Sequence, residues 1–133
     1  MNNQQIPFDP RQTSIAALAY LGDSVMEVMV REYLVMQGLT RSEDLNREAL
    51  RFVTAASQAQ AMERLEPHLT EEEKEIFKHG KNPGRLRPPA GVQLETYRIA
   101  TGMEVLFARL YLNGATGRLK ELFALGYQTE DKP

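Results

Sequence analysis

Two long segments constrain this chain more than anything else in it. Residues 14–37 and 94–113 are apolar around most of a helical circumference, yet each carries a carboxylate near its middle. In the first, Ile15, Leu18, Val25, Met29, Tyr33 and Met36 recur at close to helical spacing, and Gly38 supplies a stop. In the second, Met103, Val105, Leu106, Phe107, Leu110, Tyr111 and Leu112 surround Glu104, and Gly114 supplies the stop. A chain of 133 residues builds one substantial core and not two, so both segments are expected to share it. The chain reads as a single domain with its core at about 14–126 and flexible ends at 1–11 and 128–133.

The remaining elements follow from caps and breakers. Ser42 reads as the N-cap of a short helix carrying Leu45, Ala49 and Phe52. Thr54 is placed to cap the next helix, which reaches about Leu65 before Pro67. Thr70 with Glu73 forms a capping box, with acids in the first turn where the helix dipole favours them. That helix is expected to end near Gly80. Residues 81–91 hold Asn82-Pro83-Gly84 and Pro88-Pro89 and predict a long irregular loop. A last amphipathic helix carries Leu119, Leu122 and Phe123 and ends near Gly126. No strand and no internal repeat is evident, so the predicted fold class is all-α.

Composition excludes several chemistries. Without cysteine there is no disulfide framework and no thiolate metal site. His68 and His79 alone are too few for a histidine-built zinc centre. A catalytic metal would be held by oxygen, which favours Mg²⁺ or Mn²⁺. No uninterrupted apolar run is long enough for a bilayer, and the polar first residues do not read as a signal peptide, so no membrane is expected and a cytoplasmic location is. The net charge of −2 conceals local sorting. Glu71, Glu72, Glu73 and Glu75 crowd together; from Ile76 to Leu94 there is no acid, while Lys78, Lys81, Arg85 and Arg87 fall inside that stretch.

The two carboxylates need an explanation. Asp23, Glu27 and Arg31 stand at i, i+4 and i+8, one narrow polar stripe, and Tyr97, Thr101 and Glu104 form a second. An unpaired carboxylate on a mostly buried helix costs roughly several kcal/mol. A divalent cation between Asp23 and Glu104 would offset both charges, activate a water and stabilise a phosphate under attack. The plain alternative is that Glu27 with Arg31 is an ordinary ion pair on a solvated face. Spacing does not decide between them.

The run Leu18-Ala19-Tyr20-Leu21-Gly22-Asp23-Ser24-Val25-Met26-Glu27 resembles the signature segment of ribonuclease III catalytic domains. Tyr97-Arg98-Ile99-Ala100-Thr101-Gly102-Met103-Glu104-Val105-Leu106 is similar to the second acidic helix of that family. Between them, Val53-Thr54-Ala55-Ala56-Ser57-Gln58-Ala59 and Lys78-His79-Gly80-Lys81-Asn82 resemble further blocks of its compact Mini-III branch, in the right order. The resemblance covers residues from about 15 to 125. It implies an all-α endonuclease domain working as a symmetric homodimer on double-stranded RNA, with Mg²⁺ (or Mn²⁺) at Asp23 and Glu104 as metal ligands and catalytic residues. It also implies trimming of the precursor of large-subunit (23S) ribosomal RNA, with a ribosomal protein that presents the substrate as a further partner to test. The larger enzymes of the family carry a separate RNA-binding domain after the catalytic one, for which this chain has no room before Pro133.

The departures matter. Where the larger enzymes have two further acids, this chain has Ala19 and Thr101. A single ion completed by water and RNA phosphate oxygens is therefore expected, with Thr101 orienting a water and Glu27 in a supporting role. With no accessory domain, Lys78, Lys81, Asn82, Arg85 and Arg87 are the expected RNA contacts, since duplex RNA is read through phosphate, 2′-hydroxyl and shape. Ser57 and Gln58, opening a helix, are placed to donate to a phosphate or merely to serve its cap. The alternatives are a non-catalytic RNA-binding or ribosome-associated relative and, less well supported, a helical nucleotide pyrophosphatase using the Glu71–Glu75 run.

Overall fold

The computed structural model describes residues 8–82 and 87–129. Among them every regular element is helical: α1 (Ile15–Met36), α2 (Ser42–Val53), α3 (Ala55–Leu65), α4 (Glu71–Gly80), α5 (Leu94–Leu112) and α6 (Thr116–Tyr127), with short 3₁₀ turns at Pro10–Gln12 and Glu66–His68. Of the ends expected to be flexible, residues 1–7 and 130–133 lie outside the described residues, while Asp9 caps the Pro10–Gln12 turn by accepting from the Arg11 amide.

Local chemistry sets the boundaries. Ser14 caps α1 by accepting from the Ala17 amide, Thr54 caps α3 by accepting from Ser57, and Thr70 and Glu73 form the reciprocal box at α4. Gly38 and Gly114 end α1 and α5 with φ of 94° and 73°, which favours glycine. Two ends differ from expectation. Ser42 is already inside α2, Arg41 being the cap residue, and Glu43 in that first turn pairs with the Arg41 guanidinium at 2.7 Å. α6 runs past Gly126 to Tyr127 and stops where Gln128 adopts the left-handed conformation.

α5 is the hub. It packs most extensively on α1, then on α4 and α3, and its side chains from Met103 to Ala108, Glu104 excepted, are fully buried. Around it lie Met26 and Val30 of α1, Met62 and Leu65 of α3, Phe77 of α4 and Leu122 of α6. Two crossings depend on missing side chains. A β-carbon at Gly22 would overlap the Glu104 carbonyl group and lie 2.9 Å from its Cα. One at Gly80 would lie 2.8 Å from Val105 Cβ and 3.1 Å from the Gly102 Cα. An aromatic cluster of Tyr33, Phe52, Phe123 and Tyr127 joins α1, α2 and α6, and the Tyr127 hydroxyl donates to the Phe52 carbonyl at 2.9 Å.

The acidic run of α4 is not wholly a surface feature. Glu73 is buried, and Arg118 of α6 donates to both its oxygens at 2.9 and 2.8 Å and to the His68 carbonyl at 2.8 Å. That partner is 45 residues away, so the acid's burial is a tertiary effect. The guanidinium holds the Glu73 carboxyl below its ordinary range.

Candidate active site

The site is made by one helix crossing. α1 meets the core through Leu18, Gly22, Val25, Met26, Val30 and Leu34. Because Gly22 rests on the backbone of Glu104, the next residue, Asp23, is delivered to the edge of the crossing beside the Glu104 side chain. Two residues 81 positions apart (104 − 23) thus meet. They do not share one environment. Glu104 is half-buried, whereas Asp23 is exposed and not enclosed as its apolar neighbours suggested. The reason is rotational: Gly22, Val25 and Met26 of α1 pack inward, while Asp23 and Ser24 between them stay on its exposed side.

The electrostatics follow. Burial, then the nearby negative charge of Asp23, pushes the Glu104 carboxyl up to about 8, and a hydrogen bond with Asp23 adds to the rise. The Gln58 amide acts the other way, favouring the anion by hydrogen bonding. Among the described residues neither Asp23 nor Glu104 takes part in a salt bridge. Two carboxylates side by side, one partly desolvated and neither matched by a cation of the protein, form a donor set that suits a hard divalent ion. No third ligand of the His, Cys, Asp or Glu kind joins them among the described residues. An ion here would take its other ligands from water and substrate, and the exposed side of Asp23 leaves room for both. That lack of any acidic trio also leaves the Glu71–Glu75 run without a metal-binding arrangement.

The other anticipated residues separate into groups. Thr101 sits one turn before Glu104 and is buried, at 3% exposure, rather than open to bulk solvent. Glu27, one turn beyond Asp23, pairs with Arg31 at 3.3 Å. Ser57 serves the start of α3: its amide donates to the Thr54 hydroxyl at 3.1 Å, and that hydroxyl donates to the Ser57 hydroxyl at 2.9 Å. Gln58 is 4% exposed and sits against Met26, which removes it from reach of a phosphate at the surface. Its Nε2 lies 3.9 Å from Met26 Sδ, and its amide favours the ionised form of Glu104, a tertiary effect that spacing within α3 does not reveal.

The basic segment is divided too. Lys78 and Arg87 are exposed. Lys81 is drawn onto the body of the protein, its ammonium 5.4 Å from the Phe77 ring centre and 4.0 Å from the Glu95 carboxylate. Asn82 uses its amide to donate to the Lys78 carbonyl at 3.1 Å, closing the end of α4. Arg85 lies outside the described residues. A cleft of about 340 Å³ between α3, α4 and α5 is lined by Gln60, Glu63, Phe77, Lys81 and Thr96 and includes neither Asp23 nor Glu104. No described helix is long and apolar enough to cross a membrane.

Comparison with known proteins agrees with this geometry. Residues 16–115 match the family model for the ribonuclease III domain, a span that holds both Asp23 and Glu104. A Mini-ribonuclease 3 of Symbiobacterium thermophilum is 42% identical over 105 residues, covering 79% of this chain and 81% of the relative. The Mini-ribonuclease 3 of Enterococcus faecalis is 39% identical over 116 residues, covering 86% and 88% respectively. Among solved structures, the crystal structure of a Fusobacterium nucleatum protein superposes with a TM-score of 0.78 at 27% identity, covering 87% of this chain and 95% of that one. The order of helices, the crossing that joins the two carboxylates and these matches lead to one conclusion: the chain belongs to the ribonuclease III domain family, in its Mini-ribonuclease 3 branch, and is an endoribonuclease.

Proposed function

We propose that this endoribonuclease cuts double-stranded RNA, using Mg²⁺ (or Mn²⁺ in its place) held by Asp23 and Glu104. The observation that carries the reading is the pairing of those two carboxylates at the α1–α5 crossing, with Glu104 raised by burial and by Asp23. When bound, the ion supplies Lewis-acid activation of water and neutralises charge on the phosphate. The chain's own work is to hold the two carboxylates at a fixed separation, which the Gly22 contact with the Glu104 backbone does. Asp23 faces solvent and is the side from which a phosphodiester approaches. Lys78 and Arg87, both exposed, and Lys81 after release from Glu95, supply cations to the RNA backbone, Arg85 joining them from the same segment. Thr101 supports the site from inside the crossing.

Dimerisation belongs to the same proposal. α1 exposes Tyr20 (81%) and Val28 (66%), and Tyr111 of α5, 55% exposed, lines the same groove as Val28. Val28 and Tyr111 share a groove of about 330 Å³ with Leu21, Val25, Met29 and Leu119, and the polar Ser24, Glu32, Thr116 and Lys120 also line it. An apolar strip of this kind suits a second copy related by a two-fold axis, giving two centres and one cut in each strand of the duplex. The substrate we assign is the precursor of 23S ribosomal RNA, as the family resemblance implies, since duplex RNA is recognised largely through shape, phosphate and 2′-hydroxyl groups. Presentation by a ribosomal protein is compatible with the exposed site.

The test is to incubate the protein with a long RNA duplex, the matching single strands and the same sequence as DNA, with Mg²⁺ and then with chelator. Paired cuts in the RNA duplex alone, lost on chelation and restored by Mg²⁺ or Mn²⁺, are expected. Binding to duplex without any cutting would favour a non-catalytic RNA-binding role.

A further inference from the structure

The polar stripe that carries Asp23 does not end at the candidate ion site. Glu27 and Arg31 continue it along α1, four and eight residues further on. At the rise of an α-helix, Arg31 stands about 12 Å beyond Asp23 along the axis, the reach of a few nucleotides of one strand. There α1 and α2 part to leave a cleft of about 270 Å³, whose lining includes Glu27, Arg31, Ser42 and Asn46 over the apolar Leu45 and Ala49. The two walls differ in kind. On the α1 side Arg31 Nε donates to Glu27 at 3.3 Å, which holds the guanidinium and leaves its two terminal nitrogens, an edge that takes a phosphate as a fork. On the α2 side Ser42 and Asn46 stand one turn apart, exposed and uncharged. The arginines of α2 and its cap are matched locally, Arg41 by Glu43, Arg47 by Asp44 and Arg51 by Glu48. Among the described residues the side chains of Ser42 and Asn46 have no such partner.

We propose that the α1–α2 cleft is a second contact for the RNA strand cut at Asp23, in which Arg31 binds a phosphate while Glu27, Ser42 and Asn46 hydrogen-bond the adjoining ribose. A site for a bare anion gains nothing from a carboxylate, whereas a sugar–phosphate unit uses all four groups. Glu27 accepts from the 2′-hydroxyl, and the Ser42 hydroxyl and Asn46 amide each donate and accept. A deoxyribose offers Glu27 no such donor, so the same cleft favours RNA over DNA. The proposal rests on the reading of Asp23 as the place where the phosphodiester is cut. Arg31 is too far from that bond to touch it, so its contribution falls on binding and not on kcat.

The experiment compares the parent with Arg31→Ala, Arg31→Lys and Asn46→Ala. Three readouts are taken: thermal unfolding, the Kd for a labelled RNA duplex at several salt concentrations in chelator, and kcat and KM with Mg²⁺. Arg31 is 71% exposed and its ion pair contributes little to folding, so all variants should melt near the parent. Arg31→Ala is expected to bind the duplex about tenfold more weakly, to lower the slope of log K against log salt by about one, and to raise KM with kcat kept. Arg31→Lys should keep the parental slope and lose part of the affinity, since an ammonium makes no fork. Duplexes carrying a single 2′-deoxy sugar, moved stepwise away from the cut, then locate the ribose. At one position the deoxy sugar should weaken the parent and weaken Asn46→Ala no further, the sign of a direct contact. Parental Kd and salt slope in Arg31→Ala, with the parent cutting duplex, would overturn the cleft alone. A loss in kcat without a change in KM would place Arg31 in the chemistry and equally overturn it. Additive losses at every deoxy position would overturn the sugar contact. A parent that neither binds nor cuts duplex RNA would overturn the reading of Asp23 and this proposal with it.

Discussion

Glu104 is a carboxyl held far from its ordinary behaviour. Its carboxyl ordinarily ionises near 4.5 and here is pushed up to about 8, by burial first and by Asp23 second. In the absence of a divalent ion, the native state therefore holds a proton that the unfolded chain has already released across pH 4.5 to 8. Native protein binding more protons than unfolded means that stability falls as pH rises through this window, with the full deficit present above 8. The deficit is on the order of a few kcal/mol at most, since the group is half-buried and partly relieved by Gln58. Chemical denaturation in chelator from pH 5 to 8.5 should show this decline in the parent and a flatter profile in Glu104→Gln. Added Mg²⁺ should restore stability mainly at the alkaline end. A parental profile that is flat, or that rises with pH, would contradict the arrangement. The presence of the two carboxylates was legible in the sequence, because acids interrupting apolar helices stand out. Their unequal exposure was not, because it depends on how α1 is rotated against α5. Gln58 was equally hidden: at the opening of a helix it reads as a donor to a phosphate or part of the cap, and its burial against Met26 comes from the packing of α3 on the rest of the core.

Among the helices, the α1–α5 crossing forms the proposed ion site, and Gly22 sets how close that crossing is. A methyl group at Gly22 has no space, because its nearest neighbours are backbone atoms of Glu104 that cannot rotate away. Gly22→Ala must therefore push the two helices apart. Overpacking of this kind costs typically about 1–3 kcal/mol, and it separates Asp23 from Glu104 as well. The variant should unfold at lower denaturant than the parent, by urea titration followed by circular dichroism, and lose duplex cleavage by more than its unfolded fraction explains. Cleavage at the parental rate would show that the crossing need not be this close. The helices themselves were readable in advance. Thr54, Thr70, Gly38 and Gly114 mark their ends by local chemistry, and local chemistry is what a sequence displays directly. The burial of Glu73 was not readable, since a capping box at Thr70 and Glu73 is complete without any partner from another helix. Its second role, bridging to Arg118, needs a residue from α6. Lys81 taught the same lesson, its charge drawn toward Glu95 at 4.0 Å across the α4–α5 contact.

In the proposed dimer, the exposed apolar residues Tyr20 and Val28 share α1 with Asp23, whose partner Glu104 stands on α5. A second copy bound at Val28 and Tyr111 would bring its own Asp23 into a fixed relation with the first, as a duplex with two strands to cut requires. Val28→Asp adds a charge at the middle of that strip, away from the core, where it is 66% exposed. It should leave the fold intact, convert dimer to monomer in sedimentation velocity, and reduce paired cutting to slow single-strand nicking. A Val28→Asp protein that remains dimeric would move the interface elsewhere. RNA affinity should also fall steeply with salt, since phosphate contacts from Lys78 and Arg87 release counterions.

The central claim, that Asp23 and Glu104 together hold the ion that cuts RNA, is tested most directly by duplex cleavage in Mg²⁺ by the parent, Asp23→Asn and Glu104→Gln. Metal-dependent cutting by the parent, with a loss of at least about 10³-fold in both variants while folding and duplex binding persist, is the expected result. Cutting that survives either substitution at near the parental rate would contradict it.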